Sequence, residues 1–155
     1  FSRQEFLILL MIGMVFFGAA IPMSARLADR FNPRPVLMVA TAGMALFGLV
    51  FAPLLAAGSQ LPVLLCLCLG LGFMGLGYGP LGAALAALFP TAVRYTGASM
   101  AFNLAGILGA SLTPLFAKSL ADNLGLAAVG YYLSAAATVS LVALLLLSRN
   151  AMSQR

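Results

Sequence analysis

The chain has 155 residues, of which 63% are hydrophobic and only 7% are charged. Because a water-soluble surface needs roughly a quarter or more of charged residues, this composition excludes a soluble domain. Eight basic residues against three acidic ones give a net charge of +5, but the basic residues lie in separate breaks between apolar stretches and form no continuous stripe. The charge therefore predicts no nucleic-acid partner.

Five apolar segments follow one another along the chain, at residues 6–23, 36–57, 61–88, 98–117 and 126–147. Each is near or above the ~20 residues that a helix needs to cross the hydrocarbon core of a bilayer. The segments lack the alternation of barrel strands, and an unpaired backbone is costly in lipid, so helix is the remaining choice. The sequence predicts an all-α, polytopic bundle of five transmembrane helices, one domain over residues 1–155, surrounded by membrane lipid.

The basic residues indicate how the bundle is oriented in a cell inner membrane. Three arginines lie in the first break, Arg94 lies in the third, and Arg149 and Arg155 lie in the C-terminal tail. Only Arg3 and Lys118 fall on the opposite side. Because cytoplasmic loops carry an excess of lysine and arginine, we expect the N-terminus of the chain outside and its C-terminus in the cytoplasm.

The third segment is rich in glycine and contains a proline. Gly75 and Gly79 form a GxxxG pair, which permits close contact between helix backbones. Pro80 lacks an N–H and leaves a carbonyl one turn earlier without its helical partner, as in the bent helices that transporters use as gates. Packing alone and a gating hinge both remain open for this segment, and Pro114 is a second hinge candidate in the fourth.

The middle of the segments carries no Asp, Glu, Lys or Arg, so it offers none of the ionisable residues that a proton-coupled or ion-coupled carrier normally has at that depth. Asn103 is the polar side chain that is most costly to leave unpaired. It either hydrogen-bonds to a neighbouring helix or faces a polar cavity and contacts substrate. Ser99 lies one turn away on the same helical face, so both are substrate-cavity candidates.

Catalysis and metal binding have little support in this sequence. The chain has no histidine, and its only two cysteines, Cys66 and Cys68, lie in an apolar run where they are expected to pack as small apolar residues. No nucleophile is accompanied by a base, and no pair of carboxylates lies inside a segment. We expect no metal, no cofactor and no enzymatic activity.

Two stretches resemble a known family. Residues 27–35, LADRFNPRP, are similar to the cytoplasmic loop signature of the major facilitator superfamily, with Asn32 where the signature has glycine; asparagine tolerates the left-handed turn conformation. Residues 88–99, LFPTAVRYTGAS, resemble the segment between helices ten and eleven of the metabolite:proton symporter family. Members often have glutamate where this chain has Ala87.

The resemblance covers the whole chain and implies that its five helices correspond to helices eight to twelve of a twelve-helix carrier. The N-terminal half and helix seven would then be missing, and the chain indeed begins with Phe1 rather than methionine. The first and fourth helices are implied to line the central cavity, the third to gate it, and the second and fifth to face lipid. Tyr78, in the third helix, then joins Asn103 as a substrate-side candidate.

Charged residues in two of the breaks form a second candidate functional feature. Asp29 lies at the predicted cytoplasmic end of the first helix, close to Arg30 and Arg34. Arg94 lies at the same predicted cytoplasmic side. These four residues form either a charge network that latches the inward side shut or a set of solvated charges worth little individually.

Two functions remain for the chain. The first is part of a proton-coupled symporter that moves a small organic acid or zwitterion by alternating access, with substrate, proton and the missing half of the same carrier as partners. The alternative is a small membrane protein, or a truncated relic, that packs against other helices and transports nothing.

Overall fold

The computed structural model describes the backbone of residues 2–153 and the side chains of residues 2–147. Phe1, Arg155 and the side chain of Arg149 lie outside the described residues. The chain forms five helices, α1 Arg3–Phe31, α2 Pro33–Ala56, α3 Gln60–Ala86, α4 Arg94–Leu124 and α5 Leu126–Ser153. Each helix is long and apolar enough to cross a membrane. The prediction of an all-α bundle is confirmed, and the described part of the chain contains no strand.

Short connections at both ends of the bundle make neighbouring helices antiparallel. α1 begins with a capping box, in which Ser2 accepts a hydrogen bond from the Glu5 amide at 3.2 Å and its own amide donates to the Glu5 carboxylate at 2.9 Å. α1 and α2 are separated by Asn32 alone, which has a φ of 75° and a ψ of 149°. Asn32 therefore has the positive φ that is expected where the loop signature has glycine. Its ψ, however, is extended rather than that of a left-handed helix.

The helices extend beyond several of the apolar segments. α1 continues to Phe31 and α4 runs from Arg94 to Leu124, so both include charged residues that lie outside segments 6–23 and 98–117. The physical reason is that backbone hydrogen bonding does not stop where the hydrocarbon ends. It stops where a positive φ interrupts it, as at Asn32, whose φ is 75°, and at Gly125, whose φ is 82°.

Packing divides the bundle into a tight part and a loose part. α1 packs mainly against α3, and α2 packs against both α3 and α5, while α4 makes only limited contact with α3 and α5. α4 has no buried residue. The core therefore lies among α1, α2, α3 and α5, with side chains such as Ala40, Phe47, Val63 and Cys66 buried between them.

Four of the five arginines with described side chains lie at one end of the bundle. The C-terminal ends of α1 and α3 and the N-terminal ends of α2 and α4 meet there, and we call it the arginine end, defined by Arg26, Arg30, Arg34 and Arg94. The opposite end has Arg3 and Lys118. The fold thus places the basic residues of two separate breaks at the same membrane surface.

Candidate functional site

A groove between the end of α3 and the beginning of α4 contains two of the predicted substrate-cavity residues. This α3–α4 groove has a volume of about 410 Å³, and Ser99 and Asn103 line it together with Arg94. Gly82 lines its α3 side and Tyr95 its α4 side. The groove therefore combines an amide, two hydroxyls and a guanidinium with an otherwise apolar wall, which suits a small molecule that carries a carboxylate.

Asn103 is anchored within its own helix. Its Nδ2 donates to the Ser99 carbonyl oxygen at 2.8 Å, and the side chain is exposed in the groove. The predicted alternative, a hydrogen bond to a neighbouring helix, does not occur in the described residues. Because an asparagine amide has a second N–H and a carbonyl oxygen, the side chain retains hydrogen-bonding capacity toward the groove.

Tyr78 lies away from this pair. Its ring packs edge-on against Phe17 of α1, with ring centroids 5.8 Å apart and an interplanar angle of 69°. Tyr78 does not line the α3–α4 groove, but it lies one helical turn before Gly82, which does. By this spacing Tyr78 is on the same face of α3 as Gly82, further from the arginine end, and its side chain is 46% exposed.

The glycine pair of α3 contacts the backbone of α1. A Cβ atom placed on Gly75 would lie 2.6 Å from the Phe17 carbonyl oxygen, and one on Gly79 would lie 2.5 Å from the Ile21 carbonyl oxygen. Pro80 is fully buried, and α3 remains a continuous helix through it. The hinge residues predicted in α3 are therefore part of a tight helix crossing.

Ser24 is a residue of this crossing that the sequence analysis missed. It is completely buried, and its hydroxyl donates to the Ile21 carbonyl at 3.0 Å and lies 3.4 Å from the Gly75 carbonyl. The signal that was available is a row of small residues four apart, Ala20, Ser24 and Ala28, which is a typical helix-contact pattern. All three are buried.

Pro114 and the loop charges are less closely packed. Pro114 is exposed within a continuous α4. The Cζ atom of Arg30 lies 5.5 Å from the centroid of the Phe31 ring. The Nε atom of Arg94 donates to the Phe89 carbonyl at 3.3 Å. Asp29 is exposed. Among the described residues α1 and α4 share no contact, so the structure does not bring Asp29 and Arg94 together.

Comparison with known proteins finds one matching family and relatives that are described as transport proteins. Residues 1–154 match the family model described as Major Facilitator Superfamily. The chain is 49% identical over 145 residues to the inner membrane metabolite transport protein YhjE of Escherichia coli (strain K12), covering 93% of this chain and 33% of that protein. A putative metabolite transport protein of Haemophilus influenzae is 40% identical over 150 residues, covering 97% of this chain and 34% of that protein.

A more distant relative is the proline/betaine transporter of Escherichia coli (strain K12), 32% identical over 139 residues, which cover 88% of this chain and 27% of the transporter. The chain thus spans about a third of the length of the curated relatives it matches. No solved structure matches it significantly.

Proposed function

Because the chain belongs to the major facilitator superfamily, we propose that it is the C-terminal part of a secondary active transporter, corresponding to helices eight to twelve of a twelve-helix carrier. The observation that carries this proposal is the match over residues 1–154, together with five helices able to cross a membrane. Relatives described as metabolite transport proteins support a transporter in the inner membrane. We propose the N-terminus outside and the C-terminus in the cytoplasm, because the arginine end then meets the positive-inside rule.

The substrate class that fits best is a small organic acid or zwitterion of the dicarboxylate, shikimate or proline and betaine kind. Arg94 supplies a positive charge at one end of the α3–α4 groove, and Ser99 and Asn103 supply neutral hydrogen-bonding groups further along it. A guanidinium pairs well with a carboxylate. The distant proline/betaine relative supports the same class, and Tyr78 would contact the substrate on the same face of α3.

Proton coupling is proposed to depend on the missing N-terminal half. The three acidic residues of the chain are Glu5, Asp29 and Asp122, and each lies near the end of a helix. None is at the depth where a proton relay operates. The coupling carboxylate would therefore come from the other half, which we propose as the main protein partner of this chain.

Alternating access is proposed to use the α1–α3 crossing as its pivot. Gly75, Gly79 and Pro80 allow α3 to approach α1 closely and to change its bend there, and Pro114 would do the same in α4. Closure of the arginine end would then bring Asp29 toward Arg94, with Arg30 and Arg34 alongside. The structure would correspond to the state in which these charges are apart.

Uptake measurements test the proposed activity. Vesicles that contain the full-length protein are expected to accumulate a labelled dicarboxylate, proline or betaine, and a proton uncoupler is expected to abolish the accumulation, because the gradient supplies the driving force. If no member of this class is accumulated and the purified species has the mass of this chain alone, the scaffold or relic alternative is favoured. Accumulation that survives the uncoupler would contradict proton coupling only.

Substitution Asn103→Ala is expected to raise the KM for uptake by about five- to tenfold, the equivalent of one hydrogen bond of roughly 1 kcal/mol. The matched control is Asn123→Ala on the same helix. Asn123 also donates to the carbonyl one turn earlier, that of Ser119 at 2.8 Å, but it does not line the groove. An equal change in both variants would show that the α4 helix, rather than the groove, is affected.

The proposed latch predicts that Asp29→Asn favours the inward-open state. Because an exposed ion pair is worth roughly 0.2–1 kcal/mol, the labelling rate of a cysteine introduced at Ala98 in the groove should rise by about two- to fivefold. The background for this measurement has Cys66 and Cys68 replaced by alanine. Asp122→Asn, at the opposite end, should leave the rate unchanged. A rate that is the same in all variants would argue that these charges are simply solvated.

A further inference from the structure

Arg34 separates two cavities at the arginine end. On one side is a cavity of about 160 Å³ between α2, α3 and α5, which leucines such as Leu37, Leu81 and Leu144 line together with Arg34. On the other side is a cavity of about 530 Å³ formed by the α1–α2 connection and the end of α3, with Asn32, Arg34 and Ala87 in its wall. An apolar slot and a larger cavity, whose polar residues are Asn32 and Arg34, therefore share one arginine.

Among the side chains that the structure describes, the guanidinium of Arg34 has no hydrogen-bonding partner. The side chain is half-buried, and the only arginine that donates a side-chain hydrogen bond within residues 2–147 is Arg94. Asn32 makes no capping hydrogen bond at the start of α2. Because Pro33 and Pro35 have no N–H, the Arg34 and Asn32 side chains are the main donors that this pocket offers. Five guanidinium donors in a partly buried position favour an anionic ligand.

The surrounding charge favours an anion as well. Among residues 2–147, four arginines, Arg26, Arg30, Arg34 and Arg94, lie at this end of the bundle against one carboxylate, that of Asp29. Arg34 also lies at the start of α2, near the end of α3, and these helices are long and apolar enough to cross a membrane, so its position corresponds to the membrane surface. A ligand that fills both cavities needs a negative group next to a hydrocarbon chain.

We propose that the two cavities bind one anionic phospholipid, with its phosphate on Arg34 and Asn32 in the larger cavity and part of an acyl chain in the leucine slot. Basic pockets between transmembrane helices bind anionic headgroups in this way. The lipid bridges α2, α3 and α5 at the arginine end and thereby stabilises their packing. This site adjoins the α3–α4 groove, since Leu85 lines both the groove and the leucine slot, but Arg34 is absent from the wall of the groove.

Native mass spectrometry of the full-length protein in detergent tests the proposal. With phosphatidylglycerol or phosphatidylcholine of the same acyl chains added, the wild-type protein should retain phosphatidylglycerol about fivefold better, the effect of roughly one basic residue at the membrane surface. Arg34→Gln should lose this preference. Arg26→Gln is the matched control, because Arg26 lies at the same end and lines neither cavity; it should keep the preference.

Ala87→Glu provides a second variant that leaves Arg34 in place. Ala87 is exposed and lines the same cavity as Arg34, so a glutamate there would pair with the guanidinium and displace the anionic headgroup. The preference for phosphatidylglycerol should fall as it does in Arg34→Gln.

Three results would overturn the proposal. Equal losses in Arg34→Gln and Arg26→Gln would mean diffuse attraction to the whole basic surface. Competition by glycerol 3-phosphate as strong as that by phosphatidylglycerol would indicate a phosphate site without an acyl chain. An unchanged preference in Ala87→Glu would place the lipid elsewhere.

Discussion

Replacing Gly79 by valine is expected to separate α1 from α3 and to reduce uptake by the full-length transporter to background. A Cβ atom at this position would lie 2.5 Å from the Ile21 carbonyl oxygen and 2.9 Å from the Ala25 amide nitrogen. Both atoms belong to the α1 backbone, so no side-chain rotation relieves the contact. Overpacking of a tight interface costs about 1–3 kcal/mol, and the helices have to move apart to accommodate the side chain.

The matched control for this prediction is Gly77→Val. Gly77 lies in the same helix two residues earlier, and a Cβ atom there has no contact within 4 Å. Both variants make the same change in helix propensity, so the difference in melting temperature between them reports the α1–α3 contact alone. Thermal unfolding in detergent and uptake in vesicles are the two measurements. If Gly77→Val loses as much stability and uptake as Gly79→Val, the crossing has no special role.

The hydrogen bond of Ser24 at the same crossing is expected to matter less than the glycine contact. Hydrogen bonds between membrane helices are worth roughly 0.6 kcal/mol on average, and the 3.4 Å separation from the Gly75 carbonyl is long. Shape, rather than hydrogen bonding, is therefore the main reason that α1 and α3 pack here. The larger loss of stability is therefore expected for the substitution of Gly79.

A second large effect is expected for Gly130→Leu in α5. Gly130 is buried, and a Cβ atom on it would collide with the Gly48 carbonyl oxygen of α2. One turn later, the Ser134 hydroxyl donates to the Ala45 carbonyl at 2.5 Å, so the same interface would lose a hydrogen bond as well. We expect a loss of about 2–4 kcal/mol in the free energy of unfolding, from overpacking and one broken hydrogen bond together.

The measurement for Gly130→Leu is the fraction of monodisperse protein after gentle heating in detergent. Ala135→Leu serves as the control, because it adds a leucine side chain to the exposed face of the same helix. Leucine has a better helix propensity than glycine, so any loss of stability in Gly130→Leu arises from packing. Wild-type stability of Gly130→Leu would mean that α2 and α5 are not in close contact.

Particular elements show how far the amino-acid sequence predicts this protein. The five apolar segments predict five helices, because segments of that length and composition have one stable conformation in lipid. The loop stretch 27–35 and the stretch 88–99 predict the family, which the match over residues 1–154 confirms. The positive φ of Asn32 follows from its place where the loop signature has glycine.

The contacts between helices are harder to predict from the sequence. α3 contains six glycines in 13 residues, 70–82, and periodicity does not say which of them meets a neighbour. In the structure Gly75 and Gly79 contact the α1 backbone, whereas a Cβ atom on Gly72, Gly77 or Gly82 would meet nothing within 4 Å. The spacing of four identifies the face, but only the position of α1 identifies the partner.

The sequence by itself determined that this is a membrane-embedded helix bundle of the major facilitator superfamily, because hydropathy and local backbone signals act over short stretches of chain. The tertiary structure alone decided that the face of α4 with Ser99 and Asn103 meets Gly82 of α3 in one groove, that Tyr78 packs on Phe17, and that Arg34 lies between two cavities. These arrangements depend on residues far apart in the chain, whose proximity is set by how the helices pack.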